Sequence, residues 1–478
     1  MGWSPLLFYM FFFTALASYS NSFAFNNRLF SKTPKSVNSL DSAILVNDIY
    51  IKGNKTTKDQ VVLNEMTFTK GTLISGSDIY DHIERSKNNL LNTSLFNFVS
   101  ITFSNQDSVH IAFNVVVEER WYWWVFPLFE QADRNVSSFL KNNDWARMNY
   151  GVYLRKDNFR GRNELLKFRL LMGYSTQISL SFNSPEYKNR TGWGASVQYK
   201  FYDNIPFTTQ NNQPIYFQQL GKMIQFSFST NFQLNYRSGL YTRHQISLTY
   251  NHHQIDDSVF VLSPDYLGNQ RKTLQYAEVG YSIIHDIRDS KVYPLKGSLQ
   301  QLSVAKTGLG IGGNDLNYYT LIAKLHWHKP IADRWHTGTE WNGSYLSASD
   351  LPYVIHSGLG YQEYLNGYEY YVIDGSSSVY AKSKLMYTLV KTRVKYLEFM
   401  PLNKFSKIHY ALYVKAIFDQ GYVYKSNAQI TNNLSNSYLY SYGLGIDFVT
   451  FYDKVLSFSY AFNKMGNHGL FVHLDLKI

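Results

Sequence analysis

The sequence predicts an all-β transmembrane barrel of about 16 antiparallel strands, preceded by a small α+β domain. From residue 146 to the end, apolar and polar side chains alternate in segments of about ten residues or more, the strand length that a bilayer requires. Aromatic residues make up 17% of the chain and charged residues only 17%, against roughly 25% charged residues in ordinary soluble domains. After residue 17 no apolar run reaches the length of about 18 residues that a helical span needs, so only strands remain to cross a membrane.

The amino terminus has the pattern of a secretory signal. Leu6–Ala17 is apolar apart from Thr14 and is shorter than the roughly 20 residues of a spanning helix. Small residues at Ser22 and Ala24 favour cleavage before Phe25. We therefore predict a signal peptide over 1–24 and a linker over 25–42. No basic residue precedes the apolar run, which leaves a mis-assigned start or a short anchor helix as alternatives.

Residues 43–120 have the pattern of a small α+β domain. A strand over 43–51 ends at a Gly-Asn turn, two short helical segments follow near 57–66 and 77–91, and two alternating strands complete the unit at 96–103 and 109–117. Thr57–Gln60 has capping-box spacing at the first helix. The predicted sheet keeps one open edge, to which an extended peptide can add as a further strand.

The predicted barrel occupies 146–478. Residues 224–236 alternate Ile, Phe, Thr, Leu and Tyr with Gln, Ser and Asn, and the last strand alternates apolar residues with His473, Asp475 and Lys477. A soluble sandwich also alternates, but its strands average about 5–6 residues. In lipid every backbone group must be paired, so strands persist only in a closed barrel. Single-chain barrels favour even strand numbers, which makes sixteen our prediction. Residues 121–145 are assigned to an aromatic junction, where the Trp121–Trp124 cluster is typical of an interfacial belt.

The residues that carry chemistry elsewhere suggest no enzyme site here. The absence of cysteine excludes disulfide scaffolds, thiolate metal sites and cysteine nucleophiles. His326 and His328 share a strand face but lack a third ligand nearby, and Ser376–Ser378 does not fit a nucleophile elbow. The net charge of +11 favours anionic headgroups over nucleic acid as the partner of an exported barrel. We expect no catalytic residues, metal or cofactor, and no nucleic-acid partner.

Two short motifs lie within the predicted barrel. A strand–turn–strand pattern contains Asp286, Arg288, Asp289, Tyr293, Pro294, Lys296 and Gly297, and a strand near the carboxyl end contains Phe418, Asp419 and Gly421. In this order and spacing the motifs resemble those of the outer-membrane assembly family that includes BamA and TamA, also called the bacterial surface antigen family. Within this resemblance, residues 43–120 look like a single POTRA domain. The resemblance covers nearly all of the mature chain.

The family resemblance also assigns a lumen loop to Leu365, Asn366, Gly367 and Tyr368. Family members usually have Arg at the second position, at the tip of a long loop folded back into the barrel, where it pairs with an acid matching Asp419. Here that position is Asn366, so the charge pairing is lost and the Asn amide can offer only hydrogen bonds. Lys415 shares the inward face with Asp419 but lies about 13 Å along the strand. Either another lumen cation compensates Asp419 or its carboxylate stays hydrated.

The resemblance implies a mechanism without cofactor: the first and last barrel strands pair poorly, the seam opens sideways, and an incoming polypeptide adds strands to the free edge. The candidate seam is 147–155 against 469–478, with Tyr150, Tyr153, Gly469, Val472 and Leu474 as its marker residues. Gly466 and Gly469 either weaken pairing near the last strand or form an ordinary hairpin turn.

Three functions remain open at this stage. The first is an insertion or translocation factor of the outer membrane of a Gram-negative bacterium, with the POTRA domain in the periplasm. Its partners would be outer-membrane lipids, unfolded outer-membrane or secreted clients, and accessory proteins of the periplasm or outer membrane. The second is a passive pore or partner-docking barrel that has lost this activity, which Asn366 motivates. The third is an enzyme on a barrel scaffold, which lacks a visible nucleophile and base.

Overall fold

A computed structural model describes residues 43–107, 109–131, 148–188, 190–219, 221–311, 316–348, 351–355, 357–360, 363–398, 403–426, 431–450 and 454–475. The predicted signal peptide and linker, and the terminal residues 476–478 of the predicted seam, lie outside these ranges. Within them, no helix has both the length and the hydropathy needed to span a membrane.

The amino-terminal domain is a four-stranded sheet covered by two helices. Its elements are β1 (Ala43–Lys52), α1 (Asp59–Leu63), β2 (Leu73–Ser75), α2 (Ile79–Asn92), β3 (Phe96–Asn105) and β4 (His110–Glu119). The sheet order is β2-β1-β4-β3, with β1 parallel to β4 and the other pairs antiparallel. The apolar faces of both helices pack on one side of the sheet, where Val46, Val62, Leu90 and Phe113 are fully buried.

The predicted capping box at α1 does not form. The residue before α1 is Lys58, which makes no side-chain cap. The Thr57 hydroxyl instead donates to Glu119 at the end of β4, over 2.7 Å, and lies 3.1 Å from the Tyr122 hydroxyl. The Thr57 side chain thus bonds to a carboxylate from a distant strand instead of capping the helix.

The barrel is one sheet of 16 consecutive antiparallel neighbours, which confirms the predicted strand number. Its strands are β5 (Trp123–Gln131), β6 (Met148–Phe159), β7 (Glu164–Gly173), β8 (Ser175–Lys188), β9 (Thr191–Tyr202), β12 (Gln225–Arg237), β13 (Thr242–Ile255), β14 (Thr273–Asp286), β15 (Gly297–Thr307), β16 (Tyr318–Pro330), β17 (Trp335–Leu346), β20 (Ser377–Tyr396), β21 (Lys407–Tyr424), β22 (Leu439–Thr450), β23 (Lys454–Asn463) and β24 (His468–Asp475).

The two faces of the barrel wall are inverted relative to a soluble protein. On β22, Leu444 is 66% exposed on the outside, whereas Ser441 is 1% and Asp447 3% exposed on the inside. The same alternation runs through β12, where Phe232, Leu234 and Tyr236 are exposed. Apolar side chains therefore face the lipid and polar side chains face the lumen, as a membrane barrel requires.

The first barrel strand differs from the sequence prediction. β5 lies within the stretch assigned to the aromatic junction and pairs with β6 along its whole length, from Trp123 opposite Lys156 to Gln131 opposite Met148. Binary patterning misses this strand because both of its faces are apolar: Val125 and Phe129 point outward, and Leu128 is buried inside. The predicted barrel start at residue 146 therefore falls one strand too late.

Further elements close the end of the barrel opposite the amino-terminal domain, here called the far end. They are the hairpin β10 (Asn204–Gln210) and β11 (Gln213–Gln218), α3 (Asp257–Leu262), and the pair β18 (Ser357–Leu359) and β19 (Ile373–Gly375). The hairpin tip residue Asn212 donates its amide N–H to Asn432 and accepts the Leu434 N–H. A helical turn, α4 (Asn403–Ser406), lies at the other end of the barrel, between β20 and β21.

Candidate functional site

The segment between β18 and β19 folds back into the lumen and fills one side of it. Leu365 and Tyr368 are buried in a cluster with residues of the wall strands and far-end loops: Leu359, Ile373, Tyr380, Val423, Leu434 and Leu439. The Tyr368 hydroxyl donates to the Tyr440 carbonyl over 3.1 Å, and the Asn463 amide donates to the Gly367 carbonyl over 2.8 Å. We call 363–372 the fold-back loop.

Asn366 lies directly against the wall acid that the sequence analysis associated with it. Its backbone N–H donates to the Asp419 carboxylate over 2.9 Å, and its side-chain amide donates to the same oxygen over 2.7 Å. Asp419 is only 1% exposed. Two neutral donors thus hold the carboxylate, and no positive charge comes from the loop position itself.

Lys382 is a wall cation next to Asp419 in the strand register, and sequence reasoning did not single it out. Lys382 is the direct cross-strand neighbour of Asp419 on β20, and Glu340 of β17 is its neighbour on the other side. The Lys382 ammonium also lies 4.6 Å from the ring centre of Tyr364 in the fold-back loop. Lys415, by contrast, pairs with Asp447 over 2.7 Å. The alternation of polar and apolar residues along β20 indicates that Lys382 faces the lumen. That it lies opposite Asp419 is known only from the register of the two strands.

Gly421 makes room for the loop. A Cβ at this position would lie 3.3 Å from the Leu365 side chain and 3.0 Å from the Cβ of Tyr380. Leu365 itself is completely buried. The predicted wall partners Asp419 and Gly421 thus serve neighbouring parts of the same loop, one by hydrogen bonding and the other by leaving space.

The fold-back loop also covers the inner face of the last strand. The ring of Tyr364 stacks on His473 with centres 5.0 Å apart, and that of Tyr370 lies 5.6 Å from Phe471. Glu369 lies 3.5 Å from the His473 imidazole. These contacts attach β24 to the loop by side chains, in addition to its backbone ladder with β23.

The predicted strand–turn–strand signature forms a turn across the other mouth of the lumen. Asp286 and Arg288 make a two-point ion pair with both distances 2.8 Å, and one Asp289 oxygen accepts the N–H groups of Ser290, Leu295 and Lys296. Gly297 has φ +101°, and a Cβ there would lie 2.3 Å from the Ile287 carbonyl oxygen. Pro294 lies within this turn.

The turn reaches the opposite wall through Tyr293. Its hydroxyl donates to Asp447 of β22 over 2.8 Å, and its ring lies 4.6 Å from that of Tyr413 on β21. Asp447 is also the partner of Lys415. The sequence identified the signature but not this contact, because the partners are more than 150 residues apart.

The amino-terminal domain docks against the same mouth. Glu65 and Arg237 form a two-point ion pair, Asn92 donates to the Asp289 carbonyl over 3.1 Å, and the Lys291 N–H donates to the Asn92 side chain over 3.0 Å. The Asn158 amide donates to the Thr57 hydroxyl over 2.8 Å. The domain therefore contacts the turns of three separate strand pairs.

Comparisons with known proteins agree with this architecture. The model of the Omp85 superfamily domain matches residues 158–469, well over half of the chain, and a POTRA model described as a surface antigen variable number repeat matches residues 44–120. The chain belongs to the Omp85 superfamily. The resemblance inferred from the motifs, including the single POTRA domain, is thereby confirmed. No curated protein sequence matches the chain.

Two solved CdiB structures share the fold at low sequence identity. CdiB from Escherichia coli has a TM-score of 0.53 at 11% identity, over 91% of this chain and 76% of that one. CdiB from Acinetobacter baumannii has 0.50 at 12%, over 90% and 73%. BamA from Haemophilus ducreyi lacking POTRA domains 1–3 has 0.49 at 16%, over 90% and 83%.

In this Omp85 barrel the two ends of the sheet are β5 and β24. Among the described residues, no backbone ladder joins them. Gly469, Val472 and Leu474, three of the predicted seam residues, lie on β24. Tyr150 and Tyr153 do not border it: β6 is paired with β5 on one side and β7 on the other. The seam therefore lies one strand earlier than predicted. The cause is that β5 has two apolar faces and was not predicted as a strand.

Proposed function

We propose that this Omp85 protein inserts or translocates polypeptides in the outer membrane of a Gram-negative bacterium, with its POTRA domain in the periplasm. The observation that carries the proposal is that the two end strands of the barrel sheet, β5 and β24, share no backbone ladder in the described residues. Unpaired strand edges accept an additional strand. Members of the superfamily are insertases or translocators rather than enzymes, and the proposed action involves no covalent chemistry or cofactor.

The last strand is held on its inner face by the fold-back loop. β24 pairs with β23, from Phe462 opposite His468 to Val455 opposite Asp475. The contacts of Tyr364 and Tyr370 with its inner face are made by side chains. A client strand that pairs with the outer edge of β24 would leave these contacts intact, which supports opening on the β5 side.

The POTRA domain offers a second edge for clients or accessory proteins. β3 pairs only with β4 among the described residues, and the other end of the sheet is the three-residue β2. The open β3 edge is therefore the longer of the two. We propose strand addition there as the route by which a partner engages the domain.

A disulfide across the seam tests the mechanism. The chain has no native cysteine, so Val125→Cys with Leu474→Cys introduces only the β5–β24 pair. The matched control keeps Val125→Cys and adds Leu154→Cys, which lies directly opposite on β6. We expect the oxidised seam pair to abolish accelerated folding of a barrel client into liposomes and the reductant to restore it. Equal activity of the oxidised seam pair and the control would refute lateral opening.

The second candidate is a passive or partner-docking barrel that has lost insertion activity. Asn366 favours it, because the loop position that carries Arg in the family supplies only neutral donors to Asp419. Parent protein that conducts ions in liposomes but never accelerates client folding would favour this reading over the first.

A further inference from the structure

One hairpin of the barrel extends well beyond its neighbours toward the POTRA domain. β20 has 20 residues and β21 has 18, whereas the flanking strands β17 and β22 have 12 each. The ladder of β20 with β17 ends at Tyr387. Beyond it, the register with β21 shifts twice between Thr388 and Arg393, and such bulges bend a strand and increase its twist. We call the projecting residues 388–398 and 403–410 the hairpin end.

The hairpin end reaches the start of the first barrel strand. The ring centre of Phe405 in α4 lies 6.1 Å from that of Trp124 on β5, in edge-to-face geometry, and 6.2 Å from that of Trp121, which precedes β5. Aromatic rings at these separations attract each other in addition to the apolar area that they bury. In the order of the sheet, β22, β23 and β24 lie between β21 and the seam, and β5 lies beyond it. The Phe405 contacts therefore join the two sides of the seam.

The hairpin end also contacts the POTRA domain. The Lys407 ammonium lies 3.5 Å from the ring centre of Phe98 on β3, within the range of a cation–π interaction. It also lies 3.6 Å from the carboxylate of Glu118 on β4, and Phe98 and Glu118 are directly opposite each other in the POTRA sheet. The hairpin end is thus held between the first barrel strand and an edge strand of the POTRA sheet.

Toward the far end, the same two strands hold the fold-back loop. Asp419 of β21 accepts the backbone and side-chain N–H groups of Asn366. The loop in turn stacks Tyr364 on His473 of β24. The β20–β21 hairpin is therefore connected to both borders of the seam, to β24 through the fold-back loop and to β5 through Phe405.

We propose that the β20–β21 hairpin is a clasp that keeps the seam closed, and that Phe405 must leave Trp124 before β5 and β24 can separate. Among the described residues no backbone ladder joins these two strands, so contacts with a common element hold them together. If β5 moves away while β20–β21 stays in the wall, the Phe405 contacts break. Lys407 steadies the hairpin end from the POTRA side. This inference rests on the proposed function, because it concerns the regulation of the same seam.

Spin-label distances across the seam test the clasp. Val125→Cys on β5 and Ile446→Cys on β22, both at exposed positions, carry the labels in a chain without native cysteine. We expect Phe405→Ala to lengthen the mean distance by one strand spacing, about 4.8 Å. Phe405→Tyr keeps the ring and should leave the distance unchanged. Lys407→Gln should broaden the distance distribution toward longer values.

Two controls distinguish the clasp from a general loosening of the barrel. Tyr410→Ala removes a ring from the same hairpin, but the partner of that ring, Phe448, lies on the adjacent strand β22; the seam distance should not change. Labels on Leu234→Cys and Val304→Cys report on β12 to β15, which are joined by continuous ladders, and their distance should be the same in every variant. Heat-modifiable migration on gels verifies that each variant is a folded barrel.

An unchanged seam distance in Phe405→Ala, or an equal change in Tyr410→Ala, would overturn the inference. If Phe405→Ala does not fold, an unchanged distribution in Lys407→Gln would overturn it instead. The distances are measured without a client, so they do not depend on insertion activity. A seam that opens in Phe405→Ala, in a protein that never accelerates client folding, would refute the proposed function alone. Full insertion activity with an unchanged seam distance in Phe405→Ala would refute the clasp alone.

Discussion

Glu65 of the POTRA domain and Arg237 at the end of β12 are joined by two parallel hydrogen-bonded contacts, Nη1 to Oε1 at 2.7 Å and Nη2 to Oε2 at 2.8 Å. Both side chains are largely buried, with 12% and 8% of their surface exposed. Arg237 also donates to the Leu240 carbonyl within its own turn. A single carboxylate thus links the orientation of the POTRA domain to the conformation of a barrel turn.

Replacing Glu65 with Gln should release the POTRA domain from the barrel mouth. Removing one partner from a buried pair leaves an uncompensated charge, which typically costs about 3–5 kcal/mol. We expect a longer and broader spin-label distance between the domain and the barrel. The control is Asp48→Asn, which breaks the exposed pair with Lys70 and should leave the distance and the stability nearly unchanged, because solvent screens such pairs. An unchanged distance in Glu65→Gln would show that the remaining contacts suffice for docking.

Tyr293→Phe should loosen the signature turn. The substitution keeps the ring against Tyr413 but removes the hydroxyl that donates to Asp447. A buried carboxylate that loses one donor typically costs about 1–3 kcal/mol, reduced here because Lys415 remains. We expect a lower thermal midpoint and faster protease cleavage within the turn. Tyr442→Phe, on the lipid face of β22, is the matched control; identical behaviour of the two variants would contradict the assigned role.

The POTRA contact should strengthen as the pH rises above neutrality. Burial, and secondly the charge of Arg243, lower the pKa of Lys291 in the signature turn to about 8. Because this value is below the ordinary pKa of about 10.4, the folded turn holds fewer protons between these values, and its stability increases with pH in that window.

Energy transfer between fluorophores on Lys87→Cys and Asp333→Cys, both at exposed positions, measures the docked fraction. We expect transfer to increase from about pH 8 to pH 10 and the slope to disappear in Lys291→Met. A slope that persists in this variant would assign the effect to another group.

Much of the architecture can be predicted from local sequence patterns, and the places where the prediction fails have identifiable causes. Alternation predicted most of the barrel strands, because lipid on one side and water on the other impose opposite polarity on neighbouring residues, and the preference for even strand numbers gave sixteen. It failed at β5, whose inner face packs against Tyr153 and Leu171 rather than water. A strand with two apolar faces shows no alternation of polar and apolar residues. The first barrel strand was therefore missed, and the predicted seam fell one strand too late.

In the lumen, prediction from the sequence is limited by a different factor. The Asn366–Asp419 contact was predictable because both residues lie in short motifs with a known spatial relation. The position of Lys382 opposite Asp419 depends on strand register, and the contact of Tyr293 with Asp447 depends on how the turn crosses the barrel mouth. Register is a property of the closed sheet, and no local pattern in either strand specifies it.

The placement of Lys382 leads to a prediction about the residue that departs from the family. Asn366→Arg would bring a second cation toward Asp419, where Lys382 already lies opposite. We therefore expect the single substitution to destabilise the fold-back loop by about 1–2 kcal/mol, and Lys382→Gln in the same chain to recover part of that loss through non-additivity. Thermal unfolding and protease cleavage within 363–372 measure the loop in all four members of the cycle. Additive effects, or a single Asn366→Arg chain more stable than the parent, would show that Lys382 does not supply the charge that the loop lacks.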